Sequence, residues 1–183
     1  MIKKILLGAL IVIVLIVVIF CVVVALQPAN YHVERSATIN APASLVFAQV
    51  NDFHKWEAWS PWTKIDPAMK VTYEGPPAGP GAVYSWTGNN QVGQGRMTIT
   101  ESKPSELVKI KLEFIKPFAA TNATNFMFTS QGNQTNVKWM LDGNNNFIGK
   151  AASLFMNMDK MVGDDFEKGL LQMKLVAESA AKQ

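Results

Sequence analysis

The stretch FHKWEAWSPWTKIDP, Phe53 to Pro67, packs Trp56, Trp59 and Trp62 into seven residues of a chain that has five tryptophans. Three uses for so much indole are open: stacking on a sugar or base, walling a pocket for an apolar ligand, or plugging a core. Trp56 and Trp59 are three apart, so they share one face of a short helix. The Ser60-Pro61 pair ends that helix, because the residue before a proline is pushed out of the helical region. Trp62 lies beyond it.

Upstream, YHVERSATI alternates and puts Tyr31, Val33, Arg35, Ala37 and Ile39 on one side, which predicts a first strand with Arg35 near an edge. NAPASLVFAQV follows, with Pro42 suited to a first helical turn and Leu45, Val46 and Val50 as its apolar stripe. Downstream the period changes to two. MKVTYEG, AVYSWTG, GQGRMTITES, ELVKIKLEFI, ATNFMFTS and TNVKWMLDG read as strands divided by PPAGPG, Asn89-Asn90 and Gly132-Asn133. Val108, Ile110, Leu112 and Phe114 face in, as do Phe126, Phe128, Val137, Trp139 and Leu141. From Phe147 to Ala180, Ile148, Ala152, Phe155, Met158, Val162, Phe166, Leu170, Met173 and Ala177 recur at three- and four-residue steps, predicting one long helix with a wide apolar face. Gly149, Gly163 and Gly169 weaken that helix and suit close approach or a bend.

At the other end, Ile5 to Leu26 holds 22 residues without a charge. That is enough to cross a hydrocarbon core of about 30 Å. The run exceeds the apolar core of a secretory signal, about 7–15 residues, so an uncleaved anchor is the expectation. Lys3 and Lys4 precede it, and no basic cluster follows closely. The positive-inside rule then keeps the N-terminus in the cytoplasm and sends the rest across, to the periplasm or outer surface of a bacterium. The expected layout is a basic tip (1–4), a transmembrane anchor (5–26), a linker (27–30) and one folded domain (31–183).

Without Lys3 and Lys4, 15 basic residues face 14 acidic ones, and no basic stripe stands out, which argues against a nucleic-acid partner. The single cysteine, Cys21, lies in the apolar run, so the folded domain has no disulfide and no thiol nucleophile. Its histidines are His32 and His54 alone, too few for a structural zinc site. No cofactor, metal or catalytic residue is assigned.

The order of strand, two short helices, meander and long helix resembles the helix-grip fold of the SRPBCC superfamily, which includes START and birch-pollen-allergen-like proteins. The words are specific. ERSATINAPASLVFAQVNDFHKWEAWSPW is similar to the opening of the bacterial polyketide cyclase/dehydrase-like branch, GPGAVYSWTGN to its G-x-G-x-x-x-x-W-x-G strand, and MDKMVGDDFEKGLLQMK to its last helix. The resemblance implies an α+β helix-grip fold: a curved antiparallel sheet of about six or seven strands around a long C-terminal helix, after one N-terminal transmembrane helix. It also implies a hydrophobic cavity between sheet and helix, and no particular reaction.

The candidate cavity residues are Trp59 and Trp62 from the short helices. Tyr84, Trp86, Met97, Ile99, Ile110, Leu112, Phe126, Phe128 and Trp139 come from the sheet, and Phe155, Met158, Val162 and Phe166 from the helix. Polar groups that could enter are Arg35, Arg96, Asn125 and Asp142; alternation turns Arg96 to solvent, and Asp142 is expected in a turn. The leading expectation is a membrane-anchored domain that binds a hydrophobic small molecule or lipid. A cyclase/dehydrase-like enzyme working by proton transfer is the alternative, with Tyr84 as its first candidate, and a protein-interaction module with a silent cavity is the third.

Overall fold

The computed structural model describes residues 2–182. The chain divides into two compact units, 1–31 with 144–157, and 32–143 with 158–183. In the first unit, helix α1 (Ile2–Leu26) holds the apolar run. A short helix, α4 (Phe147–Ser153), packs against α1 and begins with an Asn146 cap whose side chain accepts from the Gly149 N–H.

The second unit is built on a seven-stranded sheet in the order β1-β7-β6-β5-β4-β3-β2. Its strands are β1 (Asn30–Ile39), β2 (Lys70–Glu74), β3 (Val83–Thr87), β4 (Gln94–Lys103), β5 (Leu107–Lys116), β6 (Ala120–Gln131) and β7 (Gln134–Asn144). β2 to β7 form an antiparallel meander. β1 then lies beside β7 at one edge, where Arg35 was expected. Strict alternation carries Phe126, Phe128, Val137, Trp139 and Leu141 to the inner face, as their spacing predicts. A register shift between Ile99 and Glu101 interrupts β4; such a bulge bends a strand and increases its twist.

Helix α2 (Ala43–Asn51) follows β1 and buries Val46 and Val50. The next segment is a 3₁₀ helix, Phe53–Ala58, whose first turn is capped by Asp52 accepting from the His54 N–H. With three residues per turn, positions i and i+3 eclipse. Phe53, Trp56 and Trp59 therefore stand in one row, and all three are buried. A single further turn, α3 (Trp62–Ile65), carries Trp62.

The predicted helix over 147–180 is two helices. α4 ends at Ser153, and α5 runs from Met158 to Ala180. In α5 the stripe holds: Phe166, Leu170, Met173 and Ala177 are buried. The glycines permit contact. A Cβ on Gly169 would stand 2.8 Å from the Trp139 ring and 3.2 Å from Pro61, and one on Gly163 would collide with the Arg35 guanidinium. N-terminal to the break the stripe fails, because Ile148, Ala152 and Phe155 are exposed. Phe155, expected in a cavity, is 81% exposed in the loop between the two helices.

Candidate functional site

The space between sheet and α5 is the expected ligand chamber, and aromatic rings fill it. Trp139 on β7 is its centre, stacked on Phe166 of α5 at 3.9 Å and 8° and on Phe126 of β6 at 4.7 Å and 28°. The edges of Trp56, Trp59 and Trp62 meet the same indole at 6.4, 5.6 and 5.8 Å. Edge-to-face and offset contacts at these separations are favourable beyond the area they bury.

Four indole N–H groups are satisfied in place. Trp56 donates to the Val50 carbonyl, Trp59 to the Gln49 carbonyl and Trp86 to the Val92 carbonyl, each at 3.0 Å. Trp139 donates at 2.9 Å to the Thr124 hydroxyl, which donates in turn to the Met140 carbonyl. A buried polar group costs little only when partnered, so these bonds fix the rings as well as accommodate them. Trp59, Ile110, Phe126, Phe128, Trp139 and Phe166 are thus packed core residues, and the indoles of Trp56 and Trp59 plug rather than wall.

The remaining candidates divide by exposure. Tyr84, Trp86, Met97 and Ile99 are buried on the inner face of β3 and β4. Trp62, Leu112, Met158 and Val162 keep partial exposure, as does Phe114, whose ring meets Trp86 edge-on at 5.8 Å. Leu112 pairs across the sheet with Asn122. Asn122 and Thr124 are buried polar groups on the inner face that the sequence reading missed. The alternation that turns Phe126 and Phe128 inward reaches them two and four residues earlier.

The polar candidates lie elsewhere. Arg96 is exposed and paired with Glu113 at 3.1 Å. Asn125 alternates with the inward residues of β6. Asp142 is in strand β7 rather than a turn, exposed and 2.7 Å from the His32 ring. This carboxylate, with Glu34, raises the His32 pKa. Arg35 reaches α5, bonding Asp159 at 3.0 Å and Glu167 at 2.8 Å. Its guanidinium holds the Asp159 carboxyl below the usual carboxylate range.

A separate cleft of about 280 Å³ opens at the β2 edge, lined by Phe53, His54, Tyr73, Glu74, the Pro76-Pro77 turn, Ala82 and Val83. The His54 ring stacks on Tyr73 at 4.1 Å, and its Nδ1 lies 3.0 Å from Asp52 Oδ1. Tyr84 pairs with Tyr73 across β2 and β3. Burial, then the neighbouring phenol and Glu57, push the Tyr84 phenol far up; burial, then Glu57 and Asp52, raise Tyr73. Both phenols are therefore donors at neutral pH, not bases. Among the described residues, no group of three or more His, Cys, Asp or Glu is placed to hold a metal ion.

A search of curated proteins finds no match. Solved structures match throughout the fold. The Zhui aromatase/cyclase from Streptomyces sp. R1128 is 16% identical with a TM-score of 0.58, over 81% of this chain and 94% of that one. The Aha1 dimer from Colwellia psychrerythraea gives 16% and 0.56 over 81% and 96%. Major latex-like protein 151 from Panax ginseng gives 12% and 0.55 over 81% and 98%. At such identities the likeness speaks for the helix-grip fold alone. The family model described as polyketide cyclase / dehydrase and lipid transport matches residues 31–178, nearly the whole folded part. The chain belongs to that family, within the SRPBCC superfamily.

Proposed function

We propose that the chain is a membrane-anchored, non-enzymatic domain that binds a hydrophobic small molecule or lipid on the inner face of its sheet, beside the aromatic plug. The observation that supports this is the partial exposure of Trp62 on α3, of Leu112 and Phe114 on β5, and of Met158 and Val162 on α5, apolar residues among neighbours that are mostly buried. Apolar surface there contributes about 25 cal/mol per Å² on being covered, before ordering costs. Asn122, next to Leu112 in register, offers the polar group that orients a ligand in a mostly apolar site.

The first turn of α5, Met158 to Val162, buries no side chain and is fastened by Arg35 through Asp159, whereas buried residues hold the helix from Gly163 onward, so the first turn is the easier part to lift. In the anchor reading, α1 spans the inner membrane of a bacterium, Lys3 and Lys4 stay cytoplasmic, and the domain stands in the periplasm or on the outer surface. The length of α1 and a mean hydropathy of 3.8 over its most apolar 18 residues support it.

The test is native mass spectrometry of the full chain from mild detergent, against its denatured mass. A discrete apolar adduct is expected, lost in Leu112→Glu and in Val162→Asp while cooperative unfolding persists. An unshifted mass after incubation with total membrane lipid would end the carrier reading.

The β2-edge cleft favours a second reading, proton transfer on a hydrophobic substrate, with His54 as the base and Tyr73 as a neutral donor. It requires turnover that His54→Gln abolishes. The filled interior favours the third, an interaction module with a silent cavity.

A further inference from the structure

The segment Asn144–Asn157, in the first unit, exposes large apolar side chains. Phe147 is 51% exposed, Ile148 63%, Phe155 81% and Met156 45%. Ile148, Ala152, Phe155 and Met156 recur at steps of three and four, Phe147 stands exposed at the start of α4, and Gly149, Lys150, Ala151 and Leu154 are half-buried. Within the first unit, α4 and the loop after it thus present an apolar side of their own.

The same segment is fastened to the end of the apolar helix α1. Lys150 Nζ donates to the Ala25 carbonyl at 3.2 Å, and the Asn145 N–H donates to the Ala29 carbonyl at 2.7 Å. Asn144 donates its side-chain amide to the Asn30 side chain at 3.0 Å. α1 has no basic residue in its last turn, so Lys150 supplies the cation that its C-terminal carbonyls favour. A helix that crosses a bilayer ends at the head-group level, and a segment tied to its last turn is held at that depth. There, large apolar side chains on one side and a lysine snorkelling along the other are stable together.

We propose that α4 and the loop after it lie in the plane of the membrane surface, with Phe147, Ile148, Phe155 and Met156 inserted at the boundary between head groups and acyl chains. The inference rests on the anchor reading of α1. It names a second, peripheral contact with lipid, made by residues whose spacing reads as core. Lys150 is the sole charge between Asn144 and Asn157 and is already engaged. Insertion is therefore driven by apolar burial, and it is indifferent to anionic lipid and to salt.

The experiment uses the full chain in phosphatidylcholine vesicles, with an environment-sensitive fluorophore on one cysteine at a time. Wild-type Cys21 reports the anchor. Phe147→Cys and Phe155→Cys, each in a Cys21→Ser background, report the segment, and Thr129→Cys, exposed on β6, is the water control. Nitroxide lipids quench at either shallow or deep positions. The expected result is loss of Cys21 emission with the deep nitroxide, loss at both segment positions with the shallow one, no loss at the control, and no change with salt. Cys21 beyond the reach of either nitroxide would overturn the anchor and this inference with it. Cys21 quenched, with both segment labels reporting water, would overturn the inference alone. Segment labels shielded from water but untouched by either nitroxide would mean that a protein covers the face, and would overturn it too.

Discussion

Gly169→Ala tests whether the chamber is filled. In a helix interior the substitution alone gains about 1 kcal/mol in propensity. In this protein the new methyl would stand 2.8 Å from a Trp139 ring carbon and 3.2 Å from Pro61 Cδ. The indole cannot retreat: Phe166 stacks on it at 3.9 Å, Phe126 stacks on it at 4.7 Å, and its N–H is bonded to Thr124. Overpacking of this kind costs about 1–3 kcal/mol. The net expectation is a loss of about 1 kcal/mol, or about 2–4 °C in the unfolding midpoint for a chain of this size. Denaturant unfolding of the full chain in mild detergent, followed by tryptophan fluorescence, measures it. Gly163→Ala should lose less, since the atoms it meets end a flexible arginine. In the double variant with Trp139→Phe, the penalty at 169 should shrink, giving a favourable coupling. A gain in stability from Gly169→Ala would mean that the indole has room to move, and the plug argument would fail.

Thr135→Val removes the hydroxyl that donates to the Ala41 carbonyl at 2.7 Å in a fully buried position. Leaving that carbonyl unpaired should cost about 1–3 kcal/mol in the same unfolding assay. Asp159 has its folded pKa lowered by Arg35, so its contribution is present above the ordinary carboxylate range and is lost as pH falls through the folded value. The thermal midpoints of wild type and Asp159→Asn should differ at neutral pH and converge in acid. A gap that stays constant with pH would show that the pair does not titrate as described.

The strands were legible because a half-buried strand writes its burial into every second residue, as Val137, Trp139 and Leu141 do. The 3₁₀ helix was legible only in hindsight: Phe53, Trp56, Trp59 and Trp62 repeat every third residue, which fits three residues per turn better than 3.6. The long helix was misread because Ile148, Ala152 and Phe155 keep the step of the stripe in α5. Periodicity shows that a face is apolar, and it does not say whether protein or another solvent covers it. The packing of the interior was illegible for a different reason. Whether a helix-grip interior is hollow depends on which rings meet across it, and nothing in the sequence pairs Trp139 with Phe166. Asn122 lies before the strand read as ATNFMFTS, since β6 begins at Ala120, and Thr124 rather than Asn125 is the polar residue in phase with Phe126 and Phe128.

The pinned indoles have an optical consequence. Trp56, Trp59, Trp86 and Trp139 sit in a dry interior with their N–H groups engaged, so their emission should be blue-shifted and hard for an aqueous quencher to reach. Trp62, half-buried with its edge against the Trp139 ring, is the indole placed to answer such a quencher. The protein thus carries its own reporter, and a molecule covering Trp62 would announce itself as lost quenching of a single residue, with no label attached.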